Sequence, residues 1–369
     1  MVHERLHSDS PAEENEIERT PSENKSRTRQ KVVSILFFAF FILLWLLLYF
    51  VNRTMAWPQR VEAGHPRYVV VEVPPGSPVA EIAERLSTHQ LISSELIFTM
   101  AAAVRGTTHR LKSGEYRFDR TMSLLEILTW LEQGRVMLHK FTVPEGSTVE
   151  QIAMLLSNKR LADPQEVLSL ANDAAFCQEL GLDSPSLEGF LFPETYKIAK
   201  GLSAESVLRI MVDRFWHVWI AETNKRPDAD ELNLRDIVSI ASIIEKEAIY
   251  DDEELLIASV IYNRLKKKMP LQCDVTIRYP LDNYGVNLTY ADLELDSPYN
   301  SYRNRGLPPT PICNPGRSAI RAALSPPKTD YLYFVSMNNK RHKFSTNLKD
   351  HNDAVRKYQV LNEVGESES

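Results

Sequence analysis

Residues 32–51, VVSILFFAFFILLWLLLYFV, form an uncharged apolar run, and no other feature constrains this 369-residue chain as tightly. Wound as a helix, the run would extend about 30 Å at ~1.5 Å per residue, enough to cross the hydrocarbon core of a bilayer. A buried core helix would show a polar face, whereas only Ser34 interrupts this one. A cleavable signal peptide has a shorter apolar segment and a small-residue cleavage site, for which YFVNRTMAWPQR is poor material. The run predicts a single-pass transmembrane anchor over 32–51. Arg27, Arg29 and Lys31 precede it and Arg53 and Arg60 follow it, a bias that predicts a cytoplasmic N-terminus and an exported remainder. Residues 1–31 hold almost no large apolar side chains and read as a disordered cytoplasmic segment.

Over the whole chain, 43% hydrophobic and 25% charged residues are ordinary for a protein that buries a core in one or two domains. A formal charge of −6 lacks the basic surplus of a sequence-independent nucleic-acid binder, so no nucleic-acid partner is expected. No zinc-type cysteine–histidine spacing, dinucleotide-binding glycine pattern or P-loop lysine occurs, and neither metal nor cofactor is expected. Cys177, Cys273 and Cys313 are too few for a disulfide-dense scaffold.

Residues 52–66 read as a linker. RYVVVEV (67–73) is β-branched and closed by a PPG turn, which predicts a strand. SPVAEIAERLSTHQ then places Val79, Ile82, Ala83 and Leu86 at helical spacing, with Ser77 as N-cap. The unit recurs, because VPPGSPVAEIAERLS (73–87) aligns without gaps on VPEGSTVEQIAMLLS (143–157). Two copies are too few for a stacked array. Between them, LKSGEYRF predicts a turn and strand, and SLLEILTWLEQG a helix stopped by glycine. After a break near 180–189, helical patterns fill 203–223, 234–248 and 251–269, the last with acids in its first turn and lysines in its last. SPYNSYRNRGLPPTPICNPG (297–316) is the longest irregular stretch, of a length usually kept for function. DYLYFV (330–335) predicts a strand, 342–359 a turn entering a final helix, and 361–369 a disordered tail. The class expected is α+β.

Candidate chemistry centres on SIIEKEA, where an apolar run ends in Glu245, Lys246 and Glu247. Ile237, Ile240, Ala241 and Ile244 make one stripe of this helix, while residues 245 and 247 lie about 200° apart and cannot face one another. A carboxylate at a helix C-terminus opposes the macrodipole by ~0.3–1 kcal/mol, and partial burial would add to that, raising its pKa toward that of a general acid. The residues alone leave this open against two solvated acids paired with Lys246. Asp274 and Thr276 follow a helix end and could position a ligand, or merely form a turn. Tyr279, Tyr299 and Tyr302 could stack on sugar rings, or simply pack. His342 and His351 fit no metal motif and read as surface or core histidines.

LEGFLFPETY, IASIIEKEA, VIYNRLKKKMPLQCDVTIRY, YNSYRNRGLPPTPICNPG, KTDYLYFV and HKFSTNLKDHN, in that order, resemble the signature blocks of the endolytic murein transglycosylase (YceG-like) family over about residues 67–358. The resemblance implies a single N-terminal transmembrane helix, a LysM-like α+β subdomain over 67–180 and an α+β catalytic domain over 181–360. It implies cleavage between N-acetylmuramic acid and N-acetylglucosamine within peptidoglycan glycan strands, leaving 1,6-anhydromuramyl ends and ending strand elongation. It places the enzyme in the bacterial inner membrane, facing the periplasm, with wall-synthesis machinery such as penicillin-binding proteins as possible partners. The first acid of the family's EKE block falls on Glu245, which would protonate the glycosidic oxygen and then accept the C6 hydroxyl proton, so that one carboxyl suffices where ordinary glycosidases use two. Asn263, Gln272, Asp274 and Thr276 are candidates for dipoles around the oxocarbenium-like transition state, with Tyr299 and Tyr302 for substrate contact. Cys273 stands where the family more usually has threonine, and with Cys313 it raises the question of a bridge, which the sequence does not answer. The alternative is a non-catalytic, membrane-anchored peptidoglycan-binding division scaffold.

Overall fold

The computed structural model describes residues 21–56, 66–225, 233–283 and 288–360. The expectations for residues 1–20, most of the linker (57–65) and the tail (361–369) lie outside them. Helix α1 (Pro21–Ala56) carries the apolar run. It starts well before the span, so residues 21–31 are helical where disorder was expected. No glycine or proline follows Pro21 in that stretch, and extending an existing helix adds one hydrogen bond per residue without needing burial. Lys31–Phe50 is long and apolar enough to cross a membrane, with a mean hydropathy of 2.8 and none of it buried. It is a candidate anchor.

The remaining described chain divides into two compact units. The first takes in most of residues 66–134 and the second runs essentially from Arg135 onward, joined there by the short stretches 72–76 and 113–116. In chain order the first unit has β1 (Tyr68–Val73), α2 (Val79–Thr88), α3 (Glu95–Val104), β2 (Gly114–Asp119) and α4 (Leu124–Gln133), with β1 paired to β2. Ile82, Leu86, Phe98, Ile127, Leu128 and Leu131 are buried in it. Helix α4 has a Ser123–Glu126 capping box and stops at Gly134 in the left-handed conformation, as its sequence predicts. Helix α2 is capped by Pro78 and not by Ser77, and no side chain bonds its first turn.

The second unit comprises β3 (Leu138–Thr142), α5 (Val149–Asn158), α6 (Pro164–Ala171), α7 (Ala174–Glu179), β4 (Thr195–Ala199), α8 (Ala204–Thr223) and α9 (Leu234–Glu247). There follow α10 (Asp251–Lys266), α11 (Asp274–Leu281), α12 (Tyr290–Leu293), α13 (Arg317–Leu324), β5 (Tyr333–Ser336), β6 (His342–Ser345) and α14 (Leu348–Val355), which ends in a π-turn at Arg356–Val360. Strands β3 and β4 pair antiparallel, Leu138 opposite Ala199 through Thr142 opposite Thr195, and β5 pairs likewise with β6. The architecture is α+β. The second repeat copy belongs to this unit, since Val149, Ile152, Ala153 and Leu156 share one core with Ile237–Ile244. The division by compactness therefore falls at 134/135 rather than at the expected 180/181.

Helix α9 is the centre of that core. Every residue from Ile237 to Ile244 is buried, so the helix has no wet face where a single apolar stripe was expected. The extra cover comes from α13 and from the irregular stretch at 297–316, distant in sequence. Ser242, with no exposed surface, donates to the Ser239 carbonyl (2.8 Å) and accepts the Ile312 amide (3.0 Å), which satisfies a hydroxyl that burial would otherwise penalise. Gly189 lies where Pro311 meets α9: at φ +94° an added Cβ would stand 2.6 Å from Pro311 Cβ and 2.8 Å from Val238 Cγ1. Gly189→Ala should lose about 2–4 kcal/mol from strain and overpacking together. Gly201→Ala, also at positive φ (+84°) but with nothing within 4 Å, should lose only ~1 kcal/mol. Urea unfolding of the detergent-solubilised chain compares the two.

Candidate active site

Asn314, fully buried, fastens three segments around the end of α9. Its Oδ1 accepts the amides of Gly189 (3.0 Å) and Leu191 (2.7 Å), and its Nδ2 donates to the Ser147 carbonyl (2.9 Å) and to Glu188 Oε1 (3.0 Å). Its main chain exchanges two more bonds with the Gly146–Ser147 turn, at 2.9 Å each. These bonds fix where Gly316, the residue capping α13, points its amide: to Glu245 Oε2 at 2.9 Å.

Glu245 is half-buried. Burial pushes its carboxyl above the ordinary range, the Gly316 N–H opposes that, and the Glu145 carboxylate adds to it. Glu145 occupies the space that a side chain on Gly316 would need, and Gly146 backs onto Glu245 Cγ at 3.5 Å from its missing Cβ. Sequence reasoning passed over Glu145. The available signal is that the second repeat copy has Glu145 where the first has Pro75. Glu254, taking the Ser318 hydroxyl at 3.0 Å, is pushed up to about 7 by burial and by the acids nearby.

Glu247 leaves the same helix end on another side. It lines a cleft of ≈ 410 Å³ with Gln272, Asp274, Tyr302, His342 and His351 among its neighbours. Burial, then the Asp274 carboxylate, pushes the Glu247 carboxyl up to about 7, against the Cys273 thiol and the Arg278 guanidinium, which lower it. The Tyr302 hydroxyl donates to Asp274 Oδ1 at 2.6 Å. Gln272 sits at φ +53°, a conformation that costs a residue with a side chain about 1 kcal/mol or more, and its Oε1 accepts from Arg264 at 3.3 Å. Arg264 spends its other hydrogen bonds on the carbonyls of Pro270, Leu271 and Leu332. A carboxyl holding its proton near neutrality in a polar cleft is equipped to act as a general acid.

The structure thus separates the residues selected from sequence. Gln272, Asp274 and Tyr302 share a cleft with Glu247. Asn263 is not among the lining residues, and its amide ties the Thr329 and Tyr331 carbonyls to α10 (2.8 and 2.9 Å). Thr276 is fully buried and bonds the Cys273 carbonyl and Ser301. Tyr299 bonds Thr310 and packs on Tyr279, whose hydroxyl reaches Glu188. Cys273 and Cys313 are free thiols, as is Cys177. Among the described residues no cluster of His, Cys, Asp and Glu is arranged to hold a metal ion.

Residues 71–357 match the family model described as the YceG-like family. The chain belongs to that family. It is 34% identical over 314 residues to a Bacillus subtilis protein named endolytic murein transglycosylase, covering 81% of this chain and 87% of that one. A Streptococcus pneumoniae protein of the same name is 31% identical over 330 residues, covering 80% of this chain and 59% of its own length. A crystal structure of a YceG-like protein from Listeria monocytogenes, 35% identical, superposes with a TM-score of 0.54 over 78% of this chain and 98% of that one.

Glu188 is 2% exposed. It accepts from the Val149 amide and the Tyr279 hydroxyl, each at 3.1 Å, besides Asn314, yet burial outweighs these donors and pushes its carboxyl up to about 8. The folded chain therefore keeps a proton that the unfolded chain releases near 4.5. Its contribution is complete below that pH and is lost as pH rises through about 8. Relative to Glu188→Gln, the wild type should lose a few kcal/mol (roughly 2–4) between pH 5 and pH 8. Urea unfolding of both proteins at several pH values measures the slope, whatever constant offset the substitution adds.

Proposed function

We propose that this chain is a membrane-anchored endolytic murein transglycosylase that cuts peptidoglycan glycan strands between N-acetylmuramic acid and N-acetylglucosamine and leaves 1,6-anhydromuramyl ends. The name shared by its relatives at 31–34% identity supports the reaction class. One observation carries the mechanism: Glu247 lines a polar cleft with Gln272, Asp274 and Tyr302, its carboxyl pushed up to about 7. Glu247 protonates the leaving oxygen of the glycosidic bond, and the C6 hydroxyl of the muramyl sugar closes on C1. The attacking group belongs to the substrate, so no carboxylate nucleophile is needed. Gln272, Asp274 and Tyr302 bind and orient the sugar, with the Asp274 charge positioned to favour the oxocarbenium-like transition state.

This reading moves the acid from Glu245 to Glu247. Glu245 stays the second candidate, because it too is half-buried with a raised pKa, but Gly316 and Glu145 engage it away from the residues that line the cleft. In the same reading, α1 holds the enzyme in the bacterial inner membrane with its N-terminus cytoplasmic. The first unit, which carries the first repeat copy, is the LysM-like subdomain, and proteins of wall synthesis are partners.

Mass spectrometry of products from uncrosslinked glycan strands tests the reading. Wild type should yield anhydromuramyl ends, Glu247→Gln should lose at least about 10²-fold in rate, and Glu245→Gln should keep most of it. The reverse pattern would return the acid to Glu245. Glycan binding without cleavage by any form would leave the scaffold. A second check is the pH profile of kcat/KM, which should fall as pH rises through about 7 because the acid loses its proton there.

A further inference from the structure

Beside Glu247, the cleft holds a second side chain able to carry a proton. His342, at the start of β6, lines the same cleft as Glu247. Its Nδ1 lies 2.9 Å from Glu253 Oε2, and its backbone amide donates to Glu253 Oε1 at 3.0 Å. In the neutral ring, a carboxylate accepting at Nδ1 places the proton there and leaves the lone pair on Nε2. Nε2 has no protein partner, yet it is not among the buried, unbonded nitrogens. The side chain keeps 10% of its surface exposed.

The support behind His342 is rigid. Glu253 is 5% exposed and stands in the first turn of α10, and Arg341 lies 3.8 Å away. The imidazole packs edge-on to Phe334, with ring centroids 5.4 Å apart. A strut joining the β5–β6 pair to α10 would need only the amide-to-carboxylate bond. The additional bond to Nδ1 fixes the tautomer and the ring plane, the arrangement that prepares a histidine to accept a proton at Nε2. His351, the other histidine of the cleft, lacks this support: its Nδ1 is buried with no partner, and its ring stacks on Tyr333.

We propose that His342, oriented by Glu253, is the catalytic base that takes the C6 hydroxyl proton of the muramyl sugar while Glu247 protonates the leaving oxygen. This rests on the transglycosylase reading above. The C6 oxygen bonds to C1 as its proton passes to Nε2, and the C1–O4 bond breaks as O4 takes the proton of Glu247. An imidazolium and a carboxylate remain, and exchange with solvent restores both. The division of labour favours closure of the anhydro ring over attack by water, because the activated nucleophile is the substrate's own hydroxyl.

The test uses the full chain in detergent micelles with uncrosslinked glycan strands, scoring anhydromuramyl ends and hydrolysed reducing ends separately. His342→Ala should lower anhydro-end formation about 10²-fold, shift the remaining products toward hydrolysed ends, and recover anhydro ends when imidazole is added. His342→Gln, which keeps a hydrogen-bonding side chain but cannot take the proton, should show the same loss without rescue. Glu253→Gln should lose less, about tenfold, as a positioning residue. Unchanged product ratios in both His342 variants, or a uniform loss that imidazole leaves untouched, would overturn the proposal and make His342 a strut. If Glu247→Gln cleaves like the wild type, the transglycosylase acid is wrong and the proposal falls with it. Loss in Glu247→Gln with normal His342 variants defeats the base alone.

Discussion

The burial of α9 on all sides is the constraint on which the second unit depends. A helix with eight consecutive buried residues can place charged groups only at its ends, and Glu245 and Glu247 are its last two acids. Their positions around the axis send them to different neighbours. One meets the Gly316 amide and Glu145, and the other enters the cleft of Gln272, Asp274 and Tyr302. The cover over α9 is held by the Asn314 side chain, whose four hydrogen bonds join the second repeat turn, the Glu188–Leu191 segment and the approach to α13. An amide of this kind satisfies several buried backbone groups at once, which is what permits irregular chain to pack against a core helix.

The same packing raises the proton affinity of a whole group of carboxyls. Glu188, Glu247 and Glu254 are each lifted to between about 7 and about 8, with burial the leading cause in every case. Raised affinity alone therefore does not single out a reacting group, since Glu188 is enclosed and satisfied by protein partners. What sets Glu247 apart is that its raised value coincides with an open polar cleft. There a bound sugar could exclude water and strengthen each electrostatic contact.

Local features were legible in the sequence. The apolar span, the strand at 68–73, the glycine stop at 134 and the acid-to-base polarity of α10 all follow from short-range rules, and the structure has each of them. The family was legible from ordered blocks. The candidate site was legible in part: Gln272, Asp274 and Tyr302 share a cleft, while the hydrogen bonds of Asn263 and Thr276 go to carbonyls and to Ser301 inside the fold. The choice between the two acids of EKE depends on β5, β6 and α14, which supply the far wall of the cleft from about ninety residues downstream. No local pattern encodes that wall. The same holds for His342, whose significance lies in a carboxylate 89 positions away.

The central claim is that the Glu247 carboxyl holds a proton near neutrality. The direct measurement is a ¹³C NMR titration of the chain labelled at glutamate Cδ, repeated on Glu247→Gln and Glu245→Gln. The account predicts one resonance titrating near pH 7 that disappears in Glu247→Gln and persists in Glu245→Gln. If every resonance titrating near pH 7 persists in Glu247→Gln, that carboxyl is an ordinary ionised acid, and the mechanism built on it is contradicted.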